Sequence, residues 1–130
     1  MARVLRVVLG AFAAVVLLAF SFTGDCSHAP RYRQEIEAIR AIRTIHTEQV
    51  QYFSQYGRYA TSLAELGEPA SGLRNGYRFT MTGNASGYVI NAVPVAFGVS
   101  GSRTFYSDQT MTVRQNYGQE PATINSREMK

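Results

Sequence analysis

Hydrophobic and polar positions change their period along this chain. From Val7 to Phe22 the residues VVLGAFAAVVLLAFSF make an unbroken apolar and small-residue run, closed by Thr23, Gly24 and Asp25. From Arg31 to Tyr56 the period is helical. Ile36, Ile39, Ile42, Ile45, Val50 and Phe53 fall within one broad arc at about 100° per residue, while Arg33, Glu37, Arg40, Thr44, Thr47, Glu48, Gln51 and Gln55 mostly fall outside it. Pro30 suits a helix start and Gly57 the left-handed residue that ends one, so the spacing predicts about seven turns over 31–56. Thr61–Gly67 then reads as a short helical turn, with Ser62 and Glu65 at capping-box spacing and Leu63 and Leu66 pointing inward.

After Gly76 the period becomes two. Tyr77, Phe79 and Met81 alternate with Arg78, Thr80 and Thr82, and Gly83–Gly87 is a turn. Tyr88–Val93 is a second strand, Pro94–Gly101 a looser connection, and Arg103–Ser107 and Met111–Gln115 two further strands joined through Asp108, Gln109 and Thr110. The expected fold class is α+β: a long N-terminal amphipathic helix packed on a small antiparallel sheet of three or four strands. The chain divides into a signal or signal-anchor segment (1–25), an α+β domain (26–116) and a polar C-terminal tail (117–130) expected to be poorly ordered.

Arg3 and Arg6 precede the apolar run with no acidic residue near them, the pattern of an export signal with its N-terminus on the cytoplasmic side. Val7, Val8, Leu9, Phe12, Val15, Val16, Leu17, Leu18 and Phe20 are the candidate membrane-anchor residues. With Val4 and Leu5 included and Arg6 snorkelling, the run approaches the length that spans about 30 Å of hydrocarbon. The retained anchor is favoured over cleavage after Ser21, and the domain lies outside the cytoplasmic membrane in either case. Cys26 is the single cysteine, so no intramolecular disulfide forms, and Asp25 before it breaks a lipoprotein signal.

The net charge is +4, and two of the 13 basic residues belong to the leader. Arg74, Arg78, Arg103 and Arg114 make no continuous stripe, which argues against nucleic acid as a partner. His46 sits at the edge of the helical arc and reads as a neutral imidazole bonded to a strand carbonyl, with Gln49 as its polar companion. Asp108 reads as a turn aspartate bonding its own backbone. No catalytic constellation, cofactor site or metal cluster stands out, and no small-molecule substrate is evident. The expected class is therefore non-enzymatic. Tyr56, Tyr59 and Phe97 are candidate partner-surface residues, on the helix end and on the loop after Pro94.

The stretch RTIHTEQVQYFSQYGRYATSLAELG, with GYRFTMTG, GYVINAVPVAFGVSG and RTFYSDQTMTVR, resembles the globular part of type IV pilin-like and pseudopilin-like proteins of bacteria. The likeness covers Glu35 to Gln115. Its most specific part is the helix running into Tyr56, Gly57, Arg58 and Tyr59 and then the Ser-Leu-x-x-Leu-Gly turn at Ser62–Gly67. It implies a membrane-anchored structural or accessory component of a type IV pilus or type II secretion-like apparatus, with other pilin-like or secretion-apparatus subunits as partners. The alternative is an exported binding or adhesion module, periplasmic or at the cell surface, released by signal cleavage. The chain departs from the family pattern where Gly10 is followed by Ala11 and Phe12, and where no acidic residue precedes Asp25. It departs again at Met111, where relatives place Gly and where Met resists positive φ.

Overall fold

A computed structural model describes residues 28–130. The candidate anchor residues from Val7 to Phe20, and Cys26, lie outside the described residues.

The helix α1 spans His28–Tyr56, 29 residues. It begins earlier than the spacing predicts, because Pro30 occupies its first turn, where a missing N–H leaves no hydrogen bond unmade. It ends as expected: Gly57 takes φ 69° and donates its N–H to Phe53 O at 2.8 Å. A single 3₁₀ turn follows at Ala64–Leu66, stopped by Gly67 at φ 80°. The capping spacing is used with one change. The Glu65 amide donates to Ser62 Oγ, while the Glu65 carboxylate reaches back to the amide and hydroxyl of Thr61 rather than to Ser62.

The sheet corrects the expected fold. It has six strands, not three or four: β1 (Leu73–Arg74), β2 (Tyr77–Asn84), β3 (Gly87–Pro94), β4 (Arg103–Asp108), β5 (Arg114–Tyr117) and β6 (Arg127–Glu128). All pair antiparallel in chain order, following the helix as one meander. β1 and β6 hold two residues each, too short for alternation to mark them. β5 begins at Arg114 rather than Met111, because Met111 takes φ 63° and donates its N–H to Asp108 O, which makes it part of the turn.

Register puts Tyr77, Phe79 and Met81 opposite Pro94, Ala92 and Ile90, and Ile90 and Ala92 opposite Ser107 and Phe105. Of these, Tyr77, Phe79, Met81, Ile90, Ala92 and Phe105 form one core with Ala38, Ile39, Ala41, Ile42 and Ile45 of α1 and with Ala60, Leu63 and Tyr88. Two residues assigned to the inner arc are largely exposed, Val50 at 50% and Phe53 at 43%. Val50 stands about 80° around the helix from Ile42, and Phe53 lies in the last turn of α1, just before the chain reverses at Gly57, with the Tyr59 ring packed against it.

The C-terminal segment is also built into the fold, contrary to expectation. It crosses the outer face of the sheet, buries Ala122, and accepts hydrogen bonds from Thr104 Oγ1 at Glu120 O (2.7 Å) and from Asn91 Nδ2 at Ala122 O (3.0 Å). That cover explains why every residue from Thr104 to Asp108 is buried although β4 alternates its faces. Among the described residues no helix is long and apolar enough to cross a membrane.

Candidate functional site

The centre of the helix stripe is polar. Glu35, His46 and Gln49 all lie within about 40° of Ile42 around the helix, and all three are buried. Buried polar groups need partners, and each of these has found its own at a different height of the sheet.

Glu35 meets the start of β4. Its Oε1 accepts from the Ser102 amide at 2.8 Å and the Ser102 hydroxyl at 3.0 Å, and its Oε2 accepts from Arg103 Nε at 3.0 Å and Nη2 at 2.8 Å. Burial alone raises the acid's pKa, but the Ser102 amide, the Arg103 guanidinium and the Ser102 hydroxyl outweigh it and hold Glu35 below the ordinary carboxylate value.

His46 sits between two hydroxyls rather than against a strand carbonyl. Nδ1 lies 2.7 Å from Tyr88 Oη and Nε2 lies 2.8 Å from Ser107 Oγ. Ser107 donates its hydroxyl hydrogen to Thr112 O at 2.9 Å, so its oxygen accepts from Nε2–H and Nδ1 accepts from Tyr88. Burial lowers the imidazole pKa, opposed by the charge of Asp108. Tyr88 is pushed up to about 12, first by burial and then by Tyr59 and Asp108. A serine beside a histidine invites a nucleophilic reading, but here the serine is fully buried and its proton points away from the imidazole.

Gln49 is not the companion of His46. It clamps the chain reversal, donating Nε2–H to Ala60 O at 3.0 Å and accepting from Ala60 N at 2.9 Å. Asp108 behaves as the sequence predicts: Oδ1 accepts from the Thr110 amide at 2.9 Å and from its hydroxyl, and Oδ2 accepts from Tyr106 Oη. Burial raises its pKa, but the Thr110 and Tyr106 donors and Arg114 outweigh this and lower it.

The proposed partner-surface residues do not converge. Tyr56 is 61% exposed at the C-terminal end of α1 and stacks on Tyr52. Tyr59 is half-buried, edge-on to Tyr88. Phe97 lies at the opposite end of the domain, on the loop whose Val95 amide bonds Gly76 O, and a Cβ on Gly76 would touch both Gln34 and Ser100. Gln34 and Tyr56 stand about 33 Å apart along the helix.

Two surface hollows accompany these residues. One, on the flank of α1, is lined by Arg43, His46, Thr47, Val50 and Met111. The other, on the outer sheet face, is lined by Thr80, Asn91, Val93, Tyr106 and the Pro121–Ile124 segment. Among the described residues no cluster of three or more His, Cys, Asp or Glu side chains is placed to hold a metal ion. Sequence reasoning passed over Glu35, Ser102 and Arg103; an acidic residue on the apolar azimuth of the helix was the signal that marked them. Neither protein-family models nor curated proteins match this chain.

Proposed function

We propose that the protein is a non-catalytic, membrane-anchored component of a type IV pilus or type II secretion-like apparatus, acting through rigid geometry rather than chemistry. The carrying observation is that α1 is continuous over 29 residues and pinned to the sheet or the returning chain by Glu35, His46 and Gln49. A helix fastened at several heights moves as one body with its domain. It begins six positions after the apolar run ends at Phe22, so the domain follows the anchor closely along the chain.

Glu35, His46 and Gln49, the buried polar residues of α1, are engaged in fastening, which supports a structural reading. Exposed Val50 and Tyr56 on α1, and Met111 beside it, offer apolar contact area to a neighbouring subunit. The outer groove beside Tyr106 favours the alternative, an exported binding module released from the membrane.

N-terminal sequencing of the protein from its native host, with membrane fractionation, separates the two. The anchored reading expects an intact leader, or one cut just after Gly10, in the membrane fraction. A chain beginning at Phe22 in the soluble periplasmic fraction overturns it.

A further inference from the structure

The loop after β3 has an unusual combination of properties. Residues 94–101, PVAFGVSG, carry no charge, and Val95, Phe97 and Val99 are 56%, 39% and 74% exposed. Four of its amides are nonetheless bonded within the loop: Gly98 N bonds Gly101 O, Val99 N and Ser100 N both bond Ala96 O, and Ala96 N bonds Ser100 Oγ. The base is fixed as well. The Val95 amide is held by Gly76 O, and Gly101 packs so tightly on the Tyr77 ring that a Cβ there would overlap it. Uncharged, outward apolar side chains on a loop whose base and four of whose amides are fixed suit the boundary of an apolar medium.

Its position follows from strand direction. β2 runs from Tyr77, near Gln34, toward Met81, which touches Gln49, and Gly83, which approaches Ala60, so it runs with α1. β3 is antiparallel to β2 and returns toward the N-terminal end of the helix, and the loop leaves the sheet there. Gln34 stands about 9 Å from His28 along the helix axis, and the five residues 23–27 tether His28 within about 20 Å of the apolar run's end. On the same end, Tyr32 is 63% exposed and flanked by Arg31 and Arg33. The carboxylates of the next turn, Glu35 and Glu37, are engaged by Arg103 and Arg40 instead.

We propose that Val95, Phe97 and Val99, with Tyr32, Arg31 and Arg33, form a second membrane contact that seats this end of the domain in the anionic headgroup layer. The contact rests on the membrane-anchored reading and deepens it. Aromatic and arginine side chains suit the headgroup level, and apolar side chains enter the acyl boundary by about 5–10 Å. Such a seat fixes the tilt of α1 against the membrane.

The chain contains no tryptophan, so single reporters can be placed in the full-length protein. Phe97→Trp, Phe12→Trp and Ile124→Trp are reconstituted separately into vesicles of phosphatidylglycerol and phosphatidylethanolamine with brominated acyl chains. Phe97→Trp is expected to lose about half its emission, and to recover it when Arg31→Gln and Arg33→Gln are added, while Ile124→Trp on the outer sheet face keeps its emission. Quenching of Phe12→Trp without Phe97→Trp overturns the second contact and leaves the anchor standing. An unquenched Phe12→Trp overturns both. A Phe97→Trp shielded from aqueous iodide yet untouched by bromine overturns the lipid contact in favour of a protein neighbour.

Discussion

Glu35 and Arg103 lie 68 residues apart in the chain and meet through two hydrogen bonds of 3.0 and 2.8 Å, with both side chains nearly closed off from water. The pair joins the second turn of α1 to the first residue of β4, and the Ser102 amide and hydroxyl complete the carboxylate's shell. Because both charges are desolvated, breaking the pair from one side is costly, whereas exchanging both members costs far less.

Arg103→Met is therefore expected to destabilise the domain by about 3–5 kcal/mol in urea titration, and Arg103→Met with Glu35→Leu by distinctly less. The folded pKa of Glu35 lies below its unfolded value of 4.5, so the unfolded chain binds the proton first. The contribution of Glu35 is complete above pH 4.5 and is lost as pH falls through the folded value. The wild-type stability curve should drop below pH 4.5 more steeply than that of the double variant.

For His46 the folded pKa is depressed below 6.5 by burial. The unfolded state again takes up the proton first, so the stabilisation is complete above pH 6.5 and is lost as pH falls toward the folded value. His46→Gln removes this titration. The difference in unfolding free energy between wild type and variant should shrink between pH 7 and pH 5. At pH 7 the variant should be less stable by about 1–3 kcal/mol, since Tyr88 and Ser107 lose a well-placed partner.

Glu48 points the other way. Burial raises its pKa, the nearby Glu68 charge raises it further, and Arg74 opposes both. Its Oε2 is buried without a hydrogen-bond partner. An acid with a raised folded pKa contributes most below its unfolded value, and that contribution is lost as pH rises. Glu48→Gln is expected to raise the melting temperature at pH 7 and to make little difference at pH 4. A lower melting temperature at pH 7 would show that Glu48 is held by a favourable contact.

Met111 occupies the left-handed region at φ 63° with its side chain 52% exposed. Asn tolerates that backbone better than Met, and a β-branched residue tolerates it worse. Met111→Asn should gain about 0.5–1 kcal/mol and Met111→Val should lose more than about 1 kcal/mol, measured by thermal unfolding. The chain thus adopts at Met111 the positive φ that a methionine resists and a glycine would supply freely.

Much of the domain was legible in its local pattern. The helix end at Gly57, the turn at Gly67, the three longer strands β2 to β4 and the Asp108 turn follow from period, left-handed glycines and local side-chain bonds, because the interactions that set them span a few residues. The two-residue strands, the late start of β5 and the order of the C-terminal segment were not legible. Each depends on partners far along the chain: β6 on Arg114 and Gln115, Ala122 on Asn91, and Glu120 on Thr104. A polar tail looks unstructured until the sheet face that receives it exists.

The same division holds for the buried polar residues and the exposed surfaces. The sequence by itself placed His46 and Gln49 near the apolar stripe and Phe97 on a loop, because azimuth on a helix and loop composition are local properties. Tertiary structure alone determined that Glu35 reaches Arg103, that His46 bridges Tyr88 and Ser107, and that Phe97 and Tyr56 stand at opposite ends of the domain. Strand direction and register bring those groups together or set them apart, and no local pattern encodes either until the whole meander is closed.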